Sequence, residues 1–424
     1  MGYVKKIMEI GSGDNSIATE DVFGISGEFD IDALCGTLSF NLPYTLPLPD
    51  STTPQYLKPE AGIDITRLKK FDTVKLYFIE TDSAGEIIQT SSGYFVNGYL
   101  MSLIFDGFID QIKLNKSKTN INYEITALGT LGLANYRNLE YQHKTGTAGE
   151  MILTVLQISG LQIGQFNVLE VQRDLIPADK VRFIDVDVSG RVIVIDGGTP
   201  LKDVLEQIRK KYALIIHQSG DGYVNVMTPY YLLKANTDST LSVNAWNFDL
   251  NLGNAFEIDY GDLTQTYNAI VVLGQPGIYG VALDPIAVAN NNGVVNYLVF
   301  ESRNLASDEE CQKVARDKLL EMERNYFVTF KTKFMPDFMI GQPFTLKDND
   351  RYTGNETLLI KKYSFTIDKS DVSCTIQGYM HGATLIPEDV ALSNTGVLDV
   401  DILQIRDKEL DTTQWKQIGG VSGD

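Results

Sequence analysis

Through the first 135 positions apolar and polar residues alternate in short runs closed by turn formers, a pattern that predicts strands rather than helices. LCGTLSFNLPY (Leu34 to Tyr44), DTVKLYFIET (Asp72 to Thr81), GYFVNGYLMSLIFDGFID (Gly93 to Asp110) and TNINYEITALG (Thr119 to Gly129) carry β-branched and aromatic residues in this way. In FDGFIDQIKL the positions Phe105, Phe108, Ile109, Ile112 and Leu114 keep no strict period of two, so Gly107 is the expected site of a bulge or barrel corner. Lys113, Lys116 and Lys118 of KLNKSK fit a polar hairpin turn. A small barrel or strongly curved sheet is expected here, and ALGTLGLAN supplies small residues where the chain leaves it.

The period then changes. TAGEMILTVLQISGL places Thr147 three residues before Glu150, a capping box, ahead of apolar residues at helical spacing. In TPLKDVLEQIRKKY, Thr199 caps, Pro200 takes the first helical position, and Leu201, Val204, Leu205 and Ile208 form one stripe. RFIDVDVSGRVIVID before it reads as a hairpin turning at Ser189-Gly190, and ALIIHQSGDGYVNVM after it as one turning on Gly220-Asp221-Gly222. A third helix is expected in SDEECQKVARDKLLEMERNYF, where Ser307 and Glu310 repeat the box and Cys311, Val314, Ala315, Leu319 and Met322 line one side. Strands surround it, from FEIDYGDLTQTYNAIVVLGQP to VSCTIQGYM. The chain therefore divides into a β domain over 1–135, which 231–255 is placed to complete, an α+β insert over 136–230, a second β domain with one helix over 256–385, and an acidic extension over 386–424 that holds Trp415. The fold class is mainly β with an α+β insert, and β regions on both sides of the insert suggest a duplicated architecture.

A chain of 424 residues exceeds one core, and its 43% apolar content suffices for several. No apolar run approaches the roughly 20 residues of a membrane span, and MGYVKKIMEIGSGDNS has no signal-peptide core, so synthesis in a cytoplasm is expected. A net charge of −19 opposes binding to phosphate backbones or anionic lipid. Cys35, Cys311 and Cys374, odd in number and far apart, read as three buried thiols.

Catalytic signatures do not emerge. His143, His217 and His381 lie in no HExxH, and no GxSxG, Walker loop or complete GxGxxG occurs. Asp185, Asp187, Ser189, Gly190 and Asp196 fall near calcium-loop offsets, yet the Val/Ile alternation around them favours strands over the helices such a loop needs. In KDNDRYTGNE, Asp348, Asp350 and Glu356 suit either a cation or a solvated loop, the latter being the commoner use. No cofactor, metal or catalytic residue is assigned.

Three stretches together resemble the tail hub family of phages and contractile injection systems, which includes the late control protein D group and the hubs of Mu-like and T-even tails. The first is the F-x-G-x-I-D strand from Phe105 with its turn and ITALGTLGLAN. The second is YGDLTQTYNAIVVLGQP, where Asp262, Thr264, Asn268, Val271 and Gly274 match the opening of the family's second barrel. The third runs from ARDKLLEMERNYFVTFKTKF through DFMIGQPFTLKD to LLIKKYSFTIDKSDVSCTIQGY. The resemblance implies two related small β-barrel domains flanking the small α+β domain, and a homotrimer with quasi-sixfold symmetry. Such a trimer joins a sixfold tail tube to a threefold spike or tail-tip protein within the baseplate of a virion tail, with DNA passing through its lumen unbound and no membrane insertion. Asp262, Thr264, Asn268, Gly274 and Trp415 are the candidate assembly-interface residues. The competing class is a tail-tip cell-wall hydrolase or carbohydrate-binding tail protein, which shares the β richness but normally shows a compact catalytic block.

Overall fold

A computed structural model describes residues 3–11, 17–43, 68–116, 121–138, 144–157, 180–184, 192–195, 197–212, 214–227, 246–259, 267–284, 288, 292–323, 327–348, 352–368 and 372–380. The strands are β1 (Tyr3–Ile10), β2 (Ile17–Thr19), β3 (Phe23–Asp30), β4 (Thr37–Pro43), β5 (Thr73–Thr81), β6 (Ile87–Thr90), β7 (Gly93–Val96), β8 (Tyr99–Leu100), β9 (Ser102–Lys116) and β10 (Ile121–Gly129). They continue as β11 (Lys144–Thr147), β12 (Val181–Ile184), β13 (Val192–Ile195), β14 (Ile215–Gln218), β15 (Val224–Met227), β16 (Trp246–Asp249) and β17 (Phe256–Asp259). The last are β18 (Ala269–Leu273), β19 (Tyr279–Leu283), β20 (Tyr297–Glu301), β21 (Phe327–Lys333), β22 (Pro343–Asp348), β23 (Tyr352–Ile367) and β24 (Val372–Met380). Among the described residues the α-helices with assigned bounds are α1 (Ala148–Gln157), α2 (Leu201–Tyr212) and α3 (Asp308–Glu323). The protein is mostly β, as its alternation predicts.

Two compact units form. The first takes the described residues up to 257 with 330–343 and 360–377; the second takes those of 258–329, 344–359 and 378–380.

Strands of a larger sheet run through the first unit in the order β21-β24-β23-β3-β4-β10-β9-β5-β1-β2. Its alternating apolar residues pack as Met8, Ile10, Ile25, Phe29, Leu38, Phe40, Leu76, Phe105 and Phe365, all fully buried. Phe29 stacks on Tyr363 at 4.8 Å and meets Phe105 edge-on at 6.5 Å. The β9–β10 hairpin pairs from Lys116–Ile121 to Gly107–Gly129. Gly107 is no bulge. The register slips instead at Asp110, against β10, and at Ile104, against β5. Gly107 is needed for another reason: a Cβ there would lie 2.0 Å from the Leu128 carbonyl oxygen. The expected strand from Gly93 to Asp110 is likewise divided, because Asn97 and Gly98 both take left-handed backbone (φ 53° and 84°) and turn β7 into β8.

The α+β part of this unit forms both expected helices, with α2 starting at Leu201, one residue after the Pro200 expected as its first position. The Glu150 carboxylate accepts the Thr147 N–H (2.9 Å) while Thr147 Oγ1 accepts the Glu150 N–H (3.2 Å), closing the capping box of α1. Leu201, Val204, Leu205 and Ile208 of α2 are buried against Met151 and Ile152 of α1 and Ile216, Val224 and Val226 of the sheet. The hairpin expected at Ser189-Gly190 is not formed by its flanks, for β12 pairs parallel with β15 and β13 pairs antiparallel with β11. Val/Ile alternation marks two strands but carries no information on which partner each takes.

In the second unit β18 lies between antiparallel β19 and parallel β20. Ile270, Val272 and Ala282 face α3 through Cys311, Ala315 and Leu319, with Val314 and Met322 packing at the margin. The cap of α3 is shifted by one residue: Ser307 Oγ accepts the Glu310 N–H (3.2 Å), while the Glu310 carboxylate accepts from the Ala306 N–H (2.9 Å). Asp308 and Gln312, one turn apart, reach the outer edge of β19, where they accept from Tyr279 N–H and Val281 N–H (both 2.9 Å), and Gln312 donates to the Val281 carbonyl (2.6 Å). A side-chain amide thus takes the place of a neighbouring strand.

Candidate assembly site

The candidate interface residues that the structure describes lie inside the second unit. Asn268, just before β18, is fully buried: its Nδ2 donates to the Val294 carbonyl (2.9 Å) and its Oδ1 accepts the Asn296 N–H (2.7 Å). Its main chain joins the same loop, since Asn268 N–H donates to the Asn296 carbonyl (3.0 Å) and its carbonyl accepts from Asp284 (2.9 Å). Asn268 therefore ties the loop before β20 to the β18–β19 hairpin and leaves Val294 on the surface. Gly274 closes the other end of β18, where a Cβ would meet the Leu305 carbonyl at 2.7 Å and Cys311 Sγ at 2.8 Å. Asp262, Thr264 and Trp415 lie outside the described residues.

The residues that hold the first unit together carried no motif. Gln218, at the end of β14, is buried, accepts the Leu131 N–H on Oε1 (2.7 Å) and donates from Nε2 to the Asp106 carbonyl (3.0 Å). Its own N–H donates to the Leu34 carbonyl (2.8 Å), so one residue fastens the α+β part to β9, to the turn Thr130–Tyr136 and to the segment before β4. ALGTLGLAN is packed as its small residues predict: a Cβ on Gly129 would meet Cys35 and Gln218 within 2.9 Å. A second clasp is exposed. The Tyr136 hydroxyl donates to Asp110, the residue displaced by the β9 bulge, and Lys70 Nζ lies 3.0 Å from the same carboxylate and 4.4 Å from the Tyr136 ring. The tyrosine hydrogen bond first, and Lys70 second, hold the Asp110 carboxyl below its ordinary range. Phe71 completes the cluster in left-handed backbone (φ 74°), stacked edge-on against Tyr136.

Of the three histidines, His217 alone is described. Its Nδ1–H donates to the Ala33 carbonyl (2.9 Å) and its ring packs edge-on against Phe29, a core position. Burial pulls its pKa down to about 4. The unfolded chain protonates near the ordinary value of 6.5 while the folded chain does not, so this contribution to stability is complete above about 6.5 and shrinks as pH falls towards 4. Between pH 7 and pH 5 the loss is about 2 kcal/mol. Urea unfolding at the two pH values should show this difference in the wild type and a smaller one in His217→Asn; equal slopes in both proteins would remove His217 as the cause.

All three cysteines are buried and free, and burial pushes the Cys35 thiol up to about 12, which makes it inert. Among the described residues no group of three His, Cys, Asp or Glu gathers for a metal. The candidate calcium loop, Asp350, His143 and His381 lie outside them. No helix among the described residues is long and apolar enough to cross a membrane.

Sheet edges offer a further surface. β5 pairs with β9 only as far as Phe108, and beyond it Ile112 and Leu114 stand partly exposed beside Lys113, which pairs with Glu124 of β10. The edge of β19 is covered by α3, as described.

No protein-family model matches the chain, and no curated protein matches it in sequence. Solved structures do match. The tail protein from Neisseria meningitidis MC58 superposes with a TM-score of 0.56 at 11% identity, covering 90% of this chain and 97% of that one. The 43 kDa tail protein of prophage MuSo2 from Shewanella oneidensis gives 0.57 at 11% identity, covering 89% and 98%. The chain has the fold of these tail proteins.

Proposed function

We propose that the chain is a structural component of a virion tail, a hub that acts by assembly. The observation that supports this is the extent of the likeness: it takes in 97% and 98% of the two tail proteins, so a whole architecture is shared rather than one small module. In this reading the β domains over 1–135 with 231–255 and over 256–385 flank the insert over 136–230, and each copy offers two tube-like modules. Three copies then close a quasi-sixfold ring between the sixfold tail tube and the threefold spike or tail tip, with baseplate proteins around it. A closed ring pairs edges that would otherwise template aggregation, and closure stops growth. Asn268 serves such an interface indirectly, by fixing the loop that displays Val294, and Gly274 by letting the other end of β18 pack against Leu305 and Cys311, while Asp262, Thr264 and Trp415 are its proposed direct contacts.

The net charge of −19 suits a bore that repels DNA and lets it slide. A ring whose carboxylates lie mainly outside, around a neutral or basic lumen, would defeat this part of the reading.

The expected mass by light scattering after gel filtration is three times the 47.1 kDa of the chain. A stable monomer that never enters particles would overturn the hub, and a clear band on a peptidoglycan zymogram would instead favour the tail-tip hydrolase.

A further inference from the structure

We infer that the outward face of the small β6-β7-β8 sheet is a docking platform for a second tail protein, one whose contacting segment is apolar and flanked by lysine or arginine; this rests on the tail reading above. The register places Ile88 opposite Phe95 and Phe95 opposite Leu100, so the three side chains form one row across three strands. Directly opposed residues share a face. The other face is already seated: Tyr94, Val96 and Met101 pack with Ile7, Tyr77 and Ile79 of the large sheet, and the Tyr94 hydroxyl donates to Glu9. The row therefore points away from the core, and Ile88 and Leu100 are 59% and 56% exposed. Contiguous apolar surface of this kind on a soluble chain marks a contact to be covered.

The geometry favours a face contact over strand addition, because β6 has four residues and β8 two, too short to template a neighbour. The charge of the occupant follows from the surrounding segment. Between Leu76 and Ile112 there is no lysine or arginine, against Glu80, Asp82, Glu86, Asp106 and Asp110. Glu80, Asp106 and Asp110 are paired with Lys333, Lys180 and Lys70. Asp82 and Glu86 remain exposed in the loop that leads into β6. A second copy meeting this face through a twofold contact would bring the same acidic loop against itself, whereas a basic flank on a different protein would neutralise it.

The test uses the full chain in assembled tail particles. Hydroxyl-radical labelling of Ile88, Phe95 and Leu100 should fall by about fivefold or more from free chain to particle, as for residues in an interface core. A photoreactive leucine analogue at position 100 should cross-link to a different tail protein, in a peptide with lysine or arginine beside the linked residue. Equal labelling in both states, a cross-link to another copy of this chain, or a cross-linked peptide without basic residues would overturn the platform while leaving the tail reading in place. A chain absent from particles would instead overturn the tail reading, and the platform with it.

Discussion

Replacing Gln218 with leucine is expected to lower the stability of the first unit by about 2 kcal/mol, the cost of leaving the buried Leu131 N–H without a partner and the Asp106 carbonyl with only the 3.4 Å bond from Thr130 Oγ1. Leucine keeps most of the volume but can neither accept the Leu131 N–H nor donate to the Asp106 carbonyl, which stand 2.7 and 3.0 Å from the amide. The loss should be visible as a lower urea midpoint and as faster hydrogen exchange at the Leu131 amide. The exchange result separates this mechanism from loosened packing, since β24 is separated from β9 by β10, β4, β3 and β23 and its amides should quicken only with global unfolding. A loss below about 1 kcal/mol would mean that a water or a small shift satisfies both groups, and that Gln218 is no fastening.

Gly280→Ala is expected to cost about 4 kcal/mol or more, at the upper end for a single added methyl. The new carbon would lie 2.1 Å from the Gln312 nitrogen and 2.2 Å from the Cys311 carbonyl carbon, both in the backbone of α3. No rotamer change relieves a clash with helix backbone, so α3 must move off the sheet. Moving it breaks the Asp308 and Gln312 bonds to β19 and loosens Cys311, Ala315 and Leu319 together. Gly277→Ala provides the comparison. Gly277 sits in the same hairpin at φ 85° with open space around its Cβ, so the substitution carries only the backbone penalty of about 1 kcal/mol. Thermal unfolding of the two variants should differ widely, and similar melting temperatures would show that the helix yields at little cost.

Features with a local cause were legible from the residues. The capping box at Thr147, the Ser307 half of the second box, the α2 stripe and the Gly220–Gly222 turn depend on residues close by in the chain, and the structure forms each of them. Pairings between distant segments were not. Val192–Ile195 looks the same whether it folds onto the strand before it or, as found, onto Lys144–Thr147. Asn97-Gly98 did announce its turn, and a continuous run of apolar residues around it hid the signal. The candidate site divides in the same way. Asn268 stands out as the polar residue opening an apolar strand, which identifies a special position but not that its amide is turned inward onto Val294 and Asn296. Gln218 follows Ile215, Ile216 and His217 with nothing to distinguish it, and its partners lie 87 and 112 residues away.

The return of β23 to β3, with Ile25–Asp30 opposite Lys362–Ile367, has a bearing on how the protein is made. A ribosome delivers Phe29 long before Tyr363, so at about 5–20 residues per second the early strands wait on the order of half a minute for their companion. Through that interval the nascent chain displays an incomplete β surface, which makes it a natural client of cotranslational chaperones. Messages cut short before codon 360 should yield insoluble product rather than a smaller soluble domain.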